Sequence, residues 1–491
     1  MMFQLNPQDA QFLYAETAQN LTNVTVVAIF DPSTVPGKKT IRYMDIVRHV
    51  QSRLSVNPFM MRKLVRVPMD LDYPYWVDDE YFDIDCHIRH SRLPEPGDWR
   101  ELCIYTARYH SRPLDMNRPL WNMEVVEGLD HVDGLPEGCF AILTKIHHSA
   151  LDGAAIIRFS ASMSDLDNKG TPAMSLEETR FQPSDSPSLA TMLSRATVNN
   201  AGLQLSLFSS ALRAAPGLVR DASSAVLSKK EPKYPVPQTR FDRAVSPHKI
   251  FDGTFFDLEK IKANGKGVEG ATINDIVLAI CGGGVRKYLQ HHDDLPGDSL
   301  IAWVPVNARD KGVVDASGND ISAMTVPIFT EVANPIERLQ AIHRATSGRK
   351  NSPSGGSARL LTELSQHIPA LPQKYASQLL IKARLVSSHC NLFISNVQGP
   401  SKPLYMCGAQ VASTFGMAPL TDGLGLFIAT PSYNVRIGFH VTSTREIMPD
   451  IRFFIECLEA SVAELQDATK PKKRARKKAA RKTAKEAGKK R

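Results

Sequence analysis

The segment Phe140–His148 constrains the fold of this chain more than any other feature of its sequence. Its residues alternate as in a buried β-strand, and after a short turn the apolar spacing over Ala154–Leu166 becomes that of a helix. Because strand side chains alternate, the adjacent His147 and His148 point to opposite faces of the sheet. The unit predicts an α/β fold in which two histidines with different roles stand where a buried strand ends.

The length of the chain predicts more than one domain. At 491 residues it exceeds what a single core usually supports, and its 43% hydrophobic and 22% charged residues are typical of a folded protein. Mixed strand and helix patterns occupy residues 1–168 and 249–466, and a connection rich in Ser, Pro and Asn occupies 169–248. We predict two α/β domains, this connection, and a disordered tail over 467–491.

Several segments have clear strand or helix patterns. The predicted strands are Val24–Phe30, Trp121–Val126, Phe140–His148, Leu300–Val306, Leu392–Asn396, Leu426–Thr430 and Val435–Val441. The predicted helices are Ile41–Leu54, Asp98–Ser111, Ala154–Leu166 and Ile273–Tyr288. Gly282-Gly283-Gly284 lacks the Lys and Ser or Thr that follow in a phosphate loop, so it predicts close helix packing.

The connection contains one amphipathic stretch. Its apolar residues recur at helical spacing from Leu189 to Leu218, and its only charges between Ser186 and Arg220 are arginines. Two interpretations stay open: the apolar face packs on the second domain, or it lies on a bilayer interface.

The tail accounts for the basic character of the chain. Lys470–Arg491 holds thirteen Lys or Arg and one Glu, whereas the whole chain has a formal net charge of +8, so the remainder carries −4. The folded part is therefore not expected to bind nucleic acid. The tail could attract anionic lipid head groups or another polyanion, or serve only to keep the protein in solution.

Three features predict a cytoplasmic protein. The seven cysteines are scattered, as is typical of a reducing compartment. The first ten residues lack a basic segment followed by an apolar core, and no run of about 18 apolar residues occurs. Any membrane contact is expected to be peripheral, on the inner face of the membrane or on lipid bodies.

The motif that runs from His147-His148 to Asp152-Gly153 suits general base catalysis. A group of near-neutral pKa, held rigidly at a strand end, can take the proton of an acceptor hydroxyl. We assign this role to His148, with His147 in support. Asp152 is expected to fix the geometry of the motif and Gly153 its turn, although Asp152 could equally be a helix N-cap. Adjacent strand histidines point apart and no third ligand lies at a suitable spacing, so no metal site is predicted.

A second candidate segment begins a helix. Thr272 and Asp275 have the spacing of a capping box, which gives Asp275 a structural role. Asn274 points elsewhere and could donate to an oxyanion. Trp121, the first residue of a predicted strand, is expected to pack rather than to contact substrate.

Several segments together resemble one family. The pattern His147-His148-x-x-x-Asp152-Gly153 is similar to that of the superfamily that includes chloramphenicol acetyltransferase and peptide-synthetase condensation domains. Further segments resemble the bacterial wax ester synthase/diacylglycerol acyltransferase family: Leu5–Leu13, Arg112–Trp121 with Pro119-Leu120-Trp121, Gly270–Ala279 with Asn274-Asp275, Val304–Arg309 and Ile394–Pro400. In the last of these, Gln398 stands where the family usually has proline, so a looser turn is expected there.

The resemblance implies two chloramphenicol-acetyltransferase-like α/β domains packed around a central tunnel. It implies that acyl-CoA is a co-substrate, that no cofactor is bound, and that a diacylglycerol or a long-chain alcohol accepts the acyl group. His148 would take the hydroxyl proton, and Arg309 would hold Asp152.

Two other functions stay open. The first is a condensation-type acyl transfer to a non-lipid acceptor. The second is a non-catalytic protein that binds lipid bodies or polyanions through its tail.

Overall fold

The computed structural model describes residues 3–38, 40–151, 153–170, 187–202, 234–307, 321–350, 368–382 and 388–470. Within these ranges the chain forms ten α-helices and three β-sheets. The helices are α1 (Pro7–Ala15), α2 (Tyr43–Ser52), α3 (Trp99–His110), α4 (Gly153–Ser162), α5 (189–202), α6 (Leu258–Ala263), α7 (Ile273–His291), α8 (Pro335–Lys350), α9 (Ala370–Lys382) and α10 (Ile451–Thr469).

The first large sheet carries the histidine pair. Its six strands are β2 (Asn23–Asp31), β5 (Ile88–Arg92), β6 (Trp121–Glu127), β7 (Phe140–His147), β12 (Tyr405–Met406) and β13 (Ala409–Met417). Their order is β12-β13-β2-β7-β6-β5. β2 and β7 form the central antiparallel pair, and β13, from far along the chain, pairs with the other side of β2.

The second large sheet comes from the later part of the chain. Its seven strands are β8 (Lys249–Asp257), β9 (Ile301–Asn307), β10 (Ile321–Pro327), β11 (Leu392–Ser395), β14 (Phe427–Ala429), β15 (Ser432–Tyr433) and β16 (Arg436–Thr444). The order is β10-β9-β11-β14-β16-β15, and β8 also pairs with β16. A small sheet of β1 (Phe3–Gln4), β3 (Arg62–Val65) and β4 (Tyr75–Asp78) lies apart from both.

β7 is apolar on both faces because it lies in the middle of its sheet. Ile142 and Ile146 pack in one hydrophobic layer, while Ala141 and Leu143 pack in another on the opposite face. This alternation is the one predicted from the sequence, although β7 ends at His147 and His148 begins the turn that follows.

The two large sheets meet where α3 packs on β8. The indole Nε1 of Trp99 donates to Oδ1 of Asp252 in β8 at 2.8 Å. The ring centroids of Trp99 and Phe415 in β13 are 4.6 Å apart. The ring centroids of Phe415 and His440 in β16 are 5.1 Å apart. Buried aromatic contacts therefore join the sheets to each other.

The Gly282-Gly283-Gly284 run of α7 lies against neighbouring elements. A Cβ added at Gly282 would collide with the backbone oxygen of Ile328, and one at Gly284 would lie 2.6 Å from Leu458 of α10. The prediction of close helix packing is confirmed.

The predicted strands and helices that lie in the described residues all form, with ends shifted by a few residues. The amphipathic stretch packs differently from the prediction. In α5, Met192 and Ala196 pack with Val67, Tyr75 and Val77 beside the small sheet, so the interpretation that placed this stretch on the second domain is wrong for α5. The physical reason is that Met192 and Ala196 share one helical face, whereas Leu189 remains 56% exposed.

Some predicted features fall outside the described residues. These are the remainder of the amphipathic stretch, from Leu203 to Leu218, and the tail from Pro471 onward. Among the helices that the structure does describe, each lacks the length or the apolar character needed to span a bilayer.

Candidate active site

The end of β7 is held by backbone hydrogen bonds on both sides. The N–H of His147 donates to the carbonyl of Leu120 at 3.0 Å, and the N–H of His148 donates to that of Thr22 at 2.8 Å. Residues 148–150 then form the turn that precedes α4. These bonds fix the backbone from which both imidazoles project.

The imidazole of His147 is fully buried and bonded at both nitrogens. Its Nδ1 accepts from the backbone N–H of Ser149 at 3.1 Å and lies 2.6 Å from Oγ of the same residue. Its Nε2 lies 3.0 Å from Oε2 of Glu16 and 3.0 Å from Oγ1 of Thr22. Because the Thr22 hydroxyl donates to the carbonyl of Phe12, its oxygen accepts from His147. Both nitrogens being occupied, this ring is suited to a positioning role.

The imidazole of His148, in the turn after β7, is only half-buried. It stacks on the ring of Phe12 from α1, with the centroids 3.9 Å apart and an interplanar angle of 14°. A flat apolar surface thus holds one side of the ring. This arrangement suits an imidazole that exchanges a proton with a bound molecule.

A buried lysine braces the segment that leads to β6. Nζ of Lys145 donates to the carbonyls of Tyr109 at 2.9 Å and Arg112 at 2.7 Å. Burial, with a contribution from the charge of Arg112, lowers the pKa of Lys145 to about 8. Lys145 therefore ties the end of α3 to the strand that carries the histidines.

The Pro119-Leu120-Trp121 segment supports β7 from the other side. Leu120 is 1% exposed, and its carbonyl is the acceptor for His147 described above. Trp121 is fully buried, donates from Nε1 to the carbonyl of Met60 at 2.8 Å, and stacks on His87 with centroids 4.5 Å apart. These contacts are packing and backbone support, as expected for Trp121 from the sequence.

Asp275 caps helix α7 as the sequence predicts. Its carboxylate accepts from the backbone N–H of Thr272 at 2.9 Å, from Nδ1 of His343 at 2.9 Å and from Oγ1 of Thr346 at 2.7 Å. Burial would raise the pKa of this carboxyl, but these donors together hold it below its ordinary value. The neighbouring Asn274 is half-buried in the first turn, and its role as an oxyanion donor stays a prediction.

Asp152 and Arg309 both lie outside the described residues, so their pairing stays a prediction. Gly153 begins α4, and a Cβ added there would meet no heavy atom within 4 Å. Gln398 is exposed, and the backbones of its two neighbours bond to Ser432. The N–H of Ser432 donates to the carbonyl of Val397 at 3.1 Å, and Oγ of Ser432 accepts from the N–H of Gly399 at 3.2 Å.

Three contacts of the site were not predicted from the sequence. Phe12, Glu16 and Thr22 all come from the first residues of the chain, more than one hundred positions before the histidines. The resemblance of Leu5–Leu13 to a family segment was the only signal near them. In the part of the chain that the structure describes, no group of three or more His, Cys, Asp or Glu is arranged to hold a metal ion.

The sequence matches one family over most of its length. Residues 5–277 match the wax ester synthase/diacylglycerol acyltransferase catalytic domain, and residues 317–466 match the C-terminal domain of the same family. Two proteins of Mycobacterium tuberculosis named as diacylglycerol O-acyltransferases are 30% and 29% identical to this chain, over 476 and 474 residues. Each alignment covers 94% of this chain and at least 98% of the relative.

Solved structures with the same fold include one at moderate sequence identity. The wax ester synthase/diacylglycerol acyltransferase of Marinobacter aquaeolei VT8 is 26% identical, with a TM-score of 0.67 over 95% of this chain and 100% of that one. The trichothecene 15-O-acetyltransferase TRI3 of Fusarium sporotrichioides is 11% identical, with a TM-score of 0.57 over 95% of each chain. The first condensation domain of the CDA synthetase is 13% identical, with a TM-score of 0.54 over 96% of each. The predicted α/β acyltransferase-like fold is confirmed, while the central tunnel stays a prediction.

Proposed function

Because the chain belongs to the wax ester synthase/diacylglycerol acyltransferase family, we propose that it transfers a fatty acyl group from acyl-CoA to the hydroxyl of diacylglycerol, and to long-chain alcohols as a second acceptor class. The observation that carries this proposal is the contrast between the two histidines. His147 is fully buried, whereas His148 is half-buried and stacks on Phe12.

In the proposed reaction, His148 acts as a general base. Its imidazole takes the proton of the acceptor hydroxyl while the oxygen forms a bond to the thioester carbonyl carbon. The tetrahedral intermediate then expels the sulfur of coenzyme A, which receives the proton from the imidazolium. The products are the new ester and free thiol, and no acyl group is attached to the enzyme.

Other residues have supporting roles in this proposal. Glu16, Thr22 and Ser149 hold His147, which fixes the end of β7. Asn274 donates to the oxyanion of the intermediate. Asp152, held by Arg309, keeps the turn after the histidines in its shape.

The proposed acceptors and products are poorly soluble in water, so the enzyme meets them at a lipid surface. We propose a peripheral association with the membrane or with lipid bodies. The basic tail, Lys470–Arg491, adds an electrostatic attraction of about 1 kcal/mol per basic residue close to an anionic surface.

The first experiment measures acyl transfer by the purified full chain. With palmitoyl-CoA and either diacylglycerol or hexadecanol, we expect release of free thiol and formation of neutral lipid. His148→Ala should lower the rate by about 10²–10⁴-fold, the usual contribution of a general base. His291→Ala is the matched control, because His291-His292 is an adjacent pair on the surface end of α7.

Two results would contradict the proposal. Activity of His148→Ala equal to that of the control would remove His148 from the chemistry. Products formed only with amine acceptors would favour the condensation-type alternative.

A further inference from the structure

Helix α9 presents an apolar stripe to solvent. Tyr375 is 62% and Leu379 is 66% exposed, and the two are four residues apart. Pro372 and Ala376 are exposed as well, so the four residues have the i, i+3, i+4, i+7 spacing of a single helical face. On most helices such a stripe faces the core, and here it faces outward.

The opposite side of α9 is anchored to the protein. Ala370 is fully buried with the apolar residues of α1, and Nε2 of Gln373 donates to the carbonyl of Pro7 at 2.8 Å. The hydroxyl of Tyr73 also donates to the carbonyl of Ile368, just before the helix, at 2.5 Å. The exposed stripe therefore belongs to a helix that is fixed in place.

A second exposed apolar residue lies beside this helix. Nζ of Lys374 bonds to Oδ2 of Asp70 at 2.5 Å, and the preceding residue, Met69, is 77% exposed. Met69 lies in the turn between β3 and β4. We define the exposed stripe of Tyr375 and Leu379 as the α9 surface.

The charges around the α9 surface are mainly positive. Residues 370–382 contain Lys374 and Lys382 and no acidic residue. The neighbouring Asp70 is neutralised by Lys374 and also lies 3.5 Å from Nη1 of Arg66. Together Lys374, Lys382, Arg66 and Asp70 carry a net charge of +2, and an apolar stripe in a region of net positive charge complements an anionic lipid interface.

The α9 surface is connected to the candidate active site through α1. α1 packs on α9, and the same helix carries Phe12, whose ring stacks on His148. Ala10 and Tyr14, which lie in the apolar cluster with Ala370, are two positions from Phe12 and so on the other side of α1. Both α9 and α1, each about 10 Å across, therefore lie between the exposed stripe and His148.

We propose that the α9 surface docks on an anionic lipid surface and brings His148 to the water-insoluble acceptor. This inference rests on the proposed function, since it is the lipid acceptor that makes such docking necessary. Tyr375 would lie at the level of the head groups, as tyrosines do at membrane interfaces, with Leu379 in the adjacent acyl layer.

The test is vesicle binding by the full chain. Wild type and Tyr375→Glu/Leu379→Glu are sedimented with vesicles of phosphatidylcholine and phosphatidylglycerol, in about 1 M salt so that the Debye length of about 3 Å suppresses binding by the basic tail. We expect the double variant to bind about tenfold or more weakly, because two apolar side chains lose their burial. Its transfer to diacylglycerol in the vesicles should fall in parallel, and transfer to butanol in solution should not.

The matched control is Tyr81→Glu/Val435→Glu. These residues are 77% and 60% exposed and lie away from α9. Both double variants add two glutamates, so they change the net charge of the protein equally. Equal binding by the two double variants would overturn the proposal. A second result would also overturn it: vesicle binding is kept in all three proteins, but light scattering shows a dimer for wild type and the control and not for the α9 variant. The α9 surface would then bind a second copy of the chain. If wild type releases no thiol with any acceptor, the proposed function fails while the binding measurement still decides the docking surface.

Discussion

At the scale of single residues, the two adjacent imidazoles have different surroundings, which suit them to different roles. His147 has a carboxylate and a hydroxyl at one nitrogen and Ser149 at the other, and it is fully buried. His148 is half-buried and stacks on the ring of Phe12 from α1. The first is therefore suited to holding the strand end, and the second to the proposed role of general base.

The Glu16–His147 pair tests this division of roles. Glu16→Gln keeps an acceptor oxygen near Nε2 but removes the charge, and hydrogen bonds to charged groups are worth about 1.5–3 kcal/mol. We expect kcat to fall by about tenfold with the KM for acyl-CoA unchanged, because the end of β7 is less well fixed. Steady-state kinetics at several acyl-CoA concentrations separates the two constants.

Glu127→Gln provides the control. Glu127 also pairs with a histidine, at 3.1 Å from His90, but both side chains are more than 40% exposed. This variant should keep the kinetic constants of wild type. A Glu16→Gln enzyme with normal kcat, or one whose loss of activity only follows a loss of folded protein, would show that the pair does not position the site.

The sequence predicts the base but not what surrounds it. Strand alternation and the tight turn single out His148, since both are local patterns over a few residues. Phe12, Glu16 and Thr22 reach the site through β2 and α1, and no spacing rule connects positions so far apart in the chain. Their place depends on tertiary packing.

At the scale of elements, α7 shows how closely its neighbours approach. The glycine run lets α10 and the segment after β10 come within contact of the helix backbone. Arg338 of α8 uses the same region: its buried guanidinium donates from Nε to the carbonyl of Ala279 at 3.1 Å. A run that resembles a phosphate loop only in composition is thus a packing site.

Gly282→Ala is expected to destabilise the protein. The added methyl would collide with the backbone oxygen of Ile328, which cannot move aside as a flexible side chain could. Overpacking of this kind typically costs about 1–3 kcal/mol, which urea unfolding followed by circular dichroism would measure. Gly297→Ala, where the added methyl meets nothing within 4 Å, should leave the unfolding midpoint unchanged, and an equal midpoint for both variants would refute the packing argument.

The elements themselves were largely predictable, because strands and helices depend on local periodicity. α5 was the exception. The predicted apolar face includes Leu189, Leu193 and Ala196, but of these only Ala196 contacts the small sheet, together with Met192. When apolar residues occur on more than one face, periodicity alone does not identify the face that packs.

At the scale of the whole molecule, the junction of the two large sheets contains two buried histidines. Burial lowers the pKa of His440 to about 3, and burial together with the charges of Lys145 and Lys249 lowers that of His110 to about 3. Neither ring nitrogen of His440 has a hydrogen-bond partner among the described residues. Both imidazoles are neutral in the folded protein across the ordinary range of pH.

These histidines predict a loss of stability in mild acid. In the unfolded chain they take up protons as the pH falls below about 6.5, and in the folded protein they do not until about 3. The unfolded state therefore binds more protons in this window, and each histidine lowers the free energy of unfolding by about 1.4 kcal/mol per pH unit. The contribution is fully present above pH 6.5 and is lost as the pH falls.

His440→Leu isolates one of the two contributions. Between pH 7 and pH 5, we expect the free energy of unfolding to fall in wild type by about 2 kcal/mol more than in this variant. The reason is that the variant has one buried imidazole fewer that resists protonation. Urea titrations at the two pH values measure this difference. His291→Leu, at an exposed histidine, should have the pH dependence of wild type, and the same dependence in His440→Leu would contradict the assignment.

The place of β13 in the first sheet has a consequence for the synthesis of the chain. β2 is bordered by β7 on one side and by β13 on the other, and 261 residues separate the end of β7 from the start of β13. A ribosome adds about 5–20 residues per second, so roughly 13 to 50 s pass before the second partner of β2 is made. During that interval β2 is an unpaired edge on the nascent protein, the type of surface that recruits strands from other chains, and chaperones have their greatest opportunity to protect it.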